Sequence, residues 1–253
     1  MQRLHDGDHR ARLVTSFAQL GELAAARGLT LSPETIQELA AFHAALERAN
    51  QTTNLTRITG EADFVERHAL DALVALPLLG EAAEARLVDV GSGCGVPGIP
   101  LAIARPGWRV TLVETANRKA RALRQLLDEL GELAQRVDVI AERAEVCGQD
   151  PDLREAFDLA VARAVGSVPL VCELCLPLVR VGGALVLYRG SEGEAEEALA
   201  ARVAPKLGGG AVERRTLQLP SGAERSLLRI EKVGPTGRHY PRRPGLPAKR
   251  PLS

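Results

Sequence analysis

The sequence predicts an α/β protein: a mostly parallel sheet with helices on both faces and an antiparallel hairpin at one edge, preceded by a small helical region. Three observations carry that prediction. Up to about Leu79 apolar residues recur at intervals of three and four without strand signals, whereas from Arg86 onward short apolar runs alternate with helical stretches. Between them, "RLVDVGSGCGVPGIPLAIARPGWRVTLVET" reads as strand, glycine-rich turn, helix and second strand. The corresponding division is a helical region over 1–80, a core over 81–233 and a tail over 234–253.

Taken in order, "RLVTSFAQLGELAAARG" is a helix closed by Gly28, and Ser32-Pro33 then offers an N-cap followed by proline in the first helical position. The next helix sets Ile36, Leu39, His43 and Leu46 on one face. A third, over about residues 61–76, follows the turn "NLTRITG", where Asn54 is a candidate cap. Strands are expected at "RLVDV", "RVTLVE", "RVDVIA", "FDLAVAR", "GALVLYRG", "AVERRTLQL" and "RSLLRIEKV"; the last two, separated by "PSGAE", suit a hairpin. "ANRKARALRQLLDELG" is a strongly periodic helix closed by Gly131, the kind of crossover that parallel strands need. The tail holds five prolines and no period, so alone it should be extended.

Composition is that of a globular chain, with 45% hydrophobic and 25% charged residues. No apolar run is long enough to cross a bilayer and "MQRLHDGDHR" lacks a secretory core, so a cytoplasmic protein is expected. Cysteines 94, 147, 172 and 175 are too scattered for a disulfide framework. Cys172 and Cys175 form a C-x-x-C without a second pair or nearby histidine, inside the apolar run "VPLVCELCLPLV"; a buried helix is expected there and no metal site. His5 and His9 read as part of the terminus. The net charge of zero hides an asymmetry, since residues 234–253 carry five Lys/Arg and no acid. A basic tail on an acidic body suits an anionic partner.

Gly93 to Gly98 satisfy G-x-G-x-x-G, a weak signal alone because glycines only let a backbone turn sharply and approach a ligand. Asp89, two residues before Gly91, stands at the end of the first strand, where ligands of open α/β sheets bind. A pyrophosphate there would be opposed by the carboxylate, whereas S-adenosylmethionine (SAM) brings an ammonium, a carboxylate and a sulfonium. Glu114 ends the second strand, where a carboxylate can accept from ribose hydroxyls, and Ala144 and Glu145 follow the third, at the edge of an adenine pocket. Each acid alone also reads as a solvated loop carboxylate. Together, Asp89-Val90-Gly91-Ser92-Gly93-Cys94-Gly95 resembles the first motif of class I SAM-dependent methyltransferases, which implies their Rossmann-like fold.

"NLT" at 54–56, "RHALDAL" at 67–73, "DVGSGCGVPGIPLAI", "ARA" at 162–164 and the ending "YPRRPGLPAKRPL" narrow the resemblance to the bacterial RsmG (GidB) family. That family methylates N7 of one guanine in small-subunit (16S) ribosomal RNA. The resemblance runs from about Ser32 to the C-terminus and implies a SAM site of Gly91, Val96, Ala144, Glu145 and Arg163, with Glu114 at the ribose and Asp89, Gly93 and Gly95 completing the motif. The stretch departs from the family in lacking an aromatic before Asn-Leu-Thr, in Ala162 for serine and in Val96 for leucine.

Guanine N7 carries an in-plane lone pair, so transfer needs orientation more than a general base. The candidate catalytic residues are Arg163, Asp71 and His68. Arg163 is expected on the SAM carboxylate, guanine O6 or a phosphate, because a donor on N7 would occupy the attacking lone pair. Asp71 is a candidate acceptor for the charge of methylated guanine. His68 and Asp71, three apart on one helix, border the acceptor pocket with Arg67 or form a helix salt-bridge cluster. For RNA phosphates the candidates are Arg67, Arg118, Lys119, Arg121 and Arg124, with Arg238, Arg242, Arg243, Lys249 and Arg250 of the tail. Few aromatics leave no platform for single-stranded bases, so a structured small subunit fits better. Two other readings stay open: a small-molecule SAM methyltransferase indifferent to loss of residues 234–253, and a regulatory SAM- or nucleotide-binding module without turnover. An NAD-linked oxidoreductase stands behind both, with no catalytic Tyr-Lys or His pair after the fingerprint.

Overall fold

The computed structural model describes residues 16–191 and 193–253, so His5 and His9 lie outside it. The chain opens with α1 (Phe17–Ala25) and α2 (Pro33–Thr52). Ser32 caps α2 as expected: its hydroxyl accepts from the Thr35 N–H at 3.2 Å, with Pro33 at the first helical position. The following turn is held by Asn50 and not by Asn54. The Asn50 carboxamide oxygen accepts from Leu55 and Thr56 N–H and its amide donates to the Thr56 carbonyl, because α2 ends with that side chain already aimed at the turn.

The expected single helix over residues 61–76 is divided. It runs as α3 (Glu61–Phe64), a π-helical turn (Val65–Leu70) and α4 (Asp71–Leu73), followed by α5 (Leu76–Leu79). Pro77 cannot continue an interior helix, which explains the late break. The π turn carries "VERHAL", the stretch holding two candidate site residues, and such bulges are frequent at functional sites.

The core follows as β1 (Ala85–Val90), α6 (Gly98–Ala104), β2 (Trp108–Val113), α7 (Asn117–Asp128), β3 (Val137–Ile140), α8 (Ala144–Cys147), β4 (Phe157–Arg163), α9 (Val168–Cys175), β5 (Val179–Arg189), α10 (Gly193–Val203), β6 (Gly209–Gln218), β7 (Glu224–Lys232) and α11 (Leu246–Lys249). The strand order is β3-β2-β1-β4-β5-β7-β6, with the first five parallel and β7 antiparallel to both neighbours. The order reverses between β1 and β4, and a crevice at the carboxyl ends of strands beside such a reversal is where ligands of these sheets sit. Both the glycine loop after β1 and Arg163 at the end of β4 are thereby placed at its mouth.

Each face of the sheet buries one apolar layer. On one, Leu87, Val110, Val161 and Val186 meet α6 and α7 and also Leu20, Leu39, Phe42 and Phe64 of the N-terminal helices. The helical region expected over 1–80 therefore shares the core of the sheet. Burying each of these large side chains contributes roughly 1.5–3 kcal/mol, which a region this small gains only by leaning on a larger neighbour. On the other face, Val88, Ala160, Leu185 and Leu187 pack with α9 and α10, and Cys172 and Cys175 are buried as free thiols within α9.

The tail is docked rather than extended. Tyr240 and Leu252 pack on the second apolar layer, and Arg154 donates to the carbonyls of Thr236, Gly237 and Tyr240. A proline-rich chain has few donors of its own, so the side chains of the body supply them.

Candidate functional site

The loop after β1 is shaped by its two acids. Asp89 Oδ2 accepts from the Gly98 N–H at 2.8 Å, joining the strand end to the start of α6. Glu114, from the end of β2, accepts from Gly93 N–H at 3.0 Å and Ala116 N–H at 2.8 Å. Each carboxylate oxygen keeps lone-pair capacity beyond these bonds, so bracing the loop does not exclude contact with a hydroxyl. Gly91 takes φ 73°, and a Cβ there would meet Val165 Cγ2 at 2.6 Å. Val165 is brought that close by Ala164, which follows Arg163 with φ 59°, a conformation that costs a non-glycine residue about 1 kcal/mol.

The donor set of this loop fits SAM. Asp89 Oδ1 and the Ser92 hydroxyl are buried without a hydrogen-bond partner in the protein, beside a backbone too tight for side chains. Unsatisfied buried polar atoms are costly unless a ligand meets them, and an ammonium is a natural partner for a carboxylate oxygen. Burial, with Glu114 adding to it and the Gly98 N–H and Arg163 opposing, pushes the Asp89 carboxyl up to about 7. Gly91, Gly93, Gly95 and Val96 all lie in the same loop, and Val96 and Ala144 are buried apolar groups.

The three candidate catalytic residues converge at the end of β4. Arg163 donates through Nη1 to Asp71 Oδ2 and to the Arg67 carbonyl, both at 2.8 Å, and its Nη2 lies 3.1 Å from His68 Nδ1. Its Nε–H and one Nη2–H are left without a partner among the described residues. His68 Nε2 is 3.1 Å from the Thr56 hydroxyl. His68 Nδ1 also lies 3.2 Å from the Arg67 carbonyl, but a guanidinium can only donate, so Nδ1 is assigned as the acceptor of Arg163 and Nε2–H as the donor to Thr56. Burial, reinforced by Arg163, lowers the His68 pKa to about 3, and the ring is neutral at neutral pH. His68 is thereby excluded as a proton donor of ordinary strength.

Asp71 departs from its expected role. Its oxygens are taken separately, Oδ2 by Arg163 and Oδ1 by Arg225 Nε at 2.6 Å, so the carboxylate orients two arginines. Arg225, on β7, escaped the sequence reading because nothing near it in the chain marks a site. Two guanidiniums against one carboxylate and a neutral imidazole leave the cluster one net positive charge.

Glu145 is also redirected. Its Oε1 accepts from the Gly245 N–H of the tail at 2.9 Å, so the side chain fastens the tail to α8 instead of standing free at an adenine pocket. Arg242 is no phosphate contact. Its guanidinium clasps Glu173 through Nε at 2.8 Å and Nη2 at 2.6 Å, and its own N–H donates at 2.9 Å. Glu173 is fully buried on α9, and a carboxylate in that position must be paired.

The remaining basic candidates are largely open to solvent, and of them Arg67 joins the cluster through its backbone carbonyl. Arg67, Arg118, Arg121, Arg124, Arg238, Arg243, Lys249 and Arg250 are exposed and Lys119 is half-buried. Arg118 donates to the Thr52 carbonyl and Arg124 to the Val139 carbonyl, which fixes their stems without neutralising their charge. Among the described residues no cluster of His, Cys, Asp or Glu is placed to hold a metal ion, and no helix is long and apolar enough to cross a membrane.

Residues 35–219 match the family model GidB, described as rRNA small subunit methyltransferase G. The ribosomal RNA small subunit methyltransferase G of Pelotomaculum thermopropionicum is 42% identical over 227 residues, covering 89% of this chain and 94% of the relative. That of Moorella thermoacetica is 40% identical over 244 residues, covering 96% and 98%. Among solved structures, the O-methyltransferase TomG of Streptomyces achromogenes in complex with SAM superposes with TM-score 0.55 at 17% identity, over 87% of this chain and 100% of that one. The precorrin-6y C5,15-methyltransferase of Geobacter metallireducens gives 0.51 at 15% identity, over 70% and 92%. These two similarities speak to the fold alone.

Proposed function

This chain belongs to the rRNA small subunit methyltransferase G (GidB) family, and from that premise we propose that it transfers a methyl group from SAM to N7 of one guanine in 16S ribosomal RNA, in the cytoplasm. The observation that carries the chemistry is the commitment of the two titratable groups that contact Arg163, His68 and Asp71. His68 is neutral with both ring nitrogens engaged, and both oxygens of Asp71 are held by arginines. Such a cluster offers no general base, which suits a nucleophile that has no proton to lose.

SAM supplies a methyl group on a sulfonium, an electrophile that needs no activation. Asp89 Oδ1 and Ser92 are assigned to its ammonium end, Glu114 to the ribose, and Val96 and Ala144 to the apolar walls, with Gly91, Gly93 and Gly95 giving the backbone approach. The Arg163 Nε–H and second Nη2–H, without a partner among the described residues, are assigned to guanine O6 or a phosphate oxygen, which leaves the N7 lone pair open. Orientation of this kind is worth roughly 7–11 kcal/mol of barrier.

The raised Asp89 carboxyl gives this assignment a pH signature. Only the ionised form meets an ammonium well, so SAM affinity is expected to fall below about pH 7 by up to about tenfold per unit, and to be flat above it. For the protein without SAM the sign is the opposite. Folding favours the neutral acid, so this group's contribution to stability is present near 3.8 and is lost as pH rises through about 7. Calorimetric titration of SAM on both sides of neutrality checks the first effect, and an affinity independent of pH would remove Asp89 from the ammonium.

RNA binding is assigned to Arg67, Arg118, Lys119, Arg121, Arg124, Arg238, Arg243, Lys249 and Arg250. Affinity for the small subunit should drop steeply with salt, and alanine at any one phosphate-contacting position should lower the log–log slope by about 0.7–0.9. A slope that none of these substitutions changes would dismiss the assignment.

The reaction is tested by methyl transfer from labelled SAM to small subunits lacking the modification and to protein-free 16S rRNA, with N7-methylguanine-specific strand cleavage. Cleavage at one guanine is the expected result. SAM binding without label in either substrate would favour a small-molecule methyltransferase or a regulatory module.

A further inference from the structure

We propose that Arg225 is a positioning residue for methyl transfer, acting through Asp71 on Arg163. The inference rests on the function proposed above. It starts from an asymmetry in how Asp71 is held. The side chain is buried, with 2% of it exposed, while the two arginines on it come from strands separated in the chain, Arg163 from the end of β4 and Arg225 from the start of β7. Because β7 runs antiparallel to β5, its first residues arrive at the carboxyl end of the parallel strands, beside the site.

A lone arginine against a carboxylate can take both oxygens in a fork, the geometry such pairs favour. Here Arg225 holds Oδ1 and biases the carboxylate away from that fork: Arg163 bonds only Oδ2, giving Nη1–H also to the Arg67 carbonyl and one Nη2–H to His68. That division leaves the Nε edge of Arg163 free. Without Arg225 the carboxylate could rotate into a fork with Arg163, drawing the guanidinium off its mark and cancelling the net positive charge of the cluster. A shift of that kind at a residue that orients the acceptor is enough to slow transfer.

The hairpin bearing Arg225 is tied down independently of Asp71. The Ser221 N–H in the β6–β7 turn donates to Glu66 Oε1 at 2.8 Å, and Arg27 donates to the Gln218 carbonyl. Glu66 thus anchors the same hairpin to the same π turn without touching Asp71, and it serves as the control for a merely structural role.

The test compares Arg225→Gln, Arg225→Lys and Glu66→Ala, which removes the acceptor of the Ser221 N–H, with the full-length enzyme. Arg225→Gln is expected to lower kcat about 10- to 100-fold, with SAM affinity and KM for RNA within about twofold of wild type, and Arg225→Lys to recover part of the loss. Glu66→Ala should keep kcat within about twofold. Independently of turnover, the slowly exchanging guanidinium N–H signals of Arg163, assigned in the 15N-labelled protein by comparison with Arg163→Lys, should shift or broaden in Arg225→Gln and persist in Glu66→Ala. Wild-type kcat in Arg225→Gln, equal losses in Arg225→Gln and Glu66→Ala, or unchanged Arg163 signals would each overturn the proposal. If the wild-type enzyme labels no ribosomal RNA, the proposed function fails, and the Arg163 signals still decide whether Arg225 positions that side chain.

Discussion

Asp71→Ala is expected to reduce methyl transfer at least about 100-fold and to destabilise the fold by about 3 kcal/mol. The substitution removes the one anion between Arg163 and Arg225, which are only 17% and 26% exposed, and leaves two neighbouring guanidiniums without a counter-charge. The mean cost of breaking a buried pair applies toward its lower end, because both arginines reach some water. Single-turnover transfer to the RNA and urea denaturation measure the two effects separately. Asp71→Asn keeps the shape and one acceptor but turns an amide toward a guanidinium, so it should retain more stability than activity. Full activity in Asp71→Ala would show that Arg163 needs no orientation from this side chain.

The second large effect lies outside the site. Arg242→Ala should cost about 3–5 kcal/mol of stability, because it leaves the Glu173 carboxylate buried and unpaired. Arg243→Ala, at the exposed neighbour, should stay within about 0.5 kcal/mol. The two variants should behave in the reverse order toward RNA: Arg243→Ala lowers the salt slope, whereas Arg242→Ala leaves the slope alone once the remaining folded protein is counted. Pairing Arg242→Met with Glu173→Leu should regain most of the stability, since removing both charges relieves the burial penalty. If Arg242→Ala were as stable as wild type, the clasp on Glu173 would be incidental.

These two cases mark where the sequence was readable. The parallel strands were legible because each holds a short apolar run between turn residues, and "FDLAVAR" matches β4 residue for residue. That Asp89, Gly91 and Glu114 stand at the strand ends was legible because motif and topology coincide there. Arg225 was not, since its partner lies 154 positions earlier and only the antiparallel return of β7 brings them together. Arg242 carried an unread clue. Glu173 is a single acid in "VPLVCELCLPLV", and a charge inside a buried helix demands a counter-charge from elsewhere in the chain. The division of the third helix had no local signal, as Val65 to Leu70 contain neither proline nor glycine.

The π turn between Phe64 and Asp71 also sets how the site can change over time. Each residue of a regular helix advances its neighbours by about 100° around the axis. Restoring regularity by losing one residue would therefore swing Asp71, and everything after it up to β1, about that far out of phase with His68 and the Arg67 carbonyl. Side chains along this segment are open to exchange one at a time, but its length is not: the site is indexed by a residue count, and the bulge records that count in the backbone.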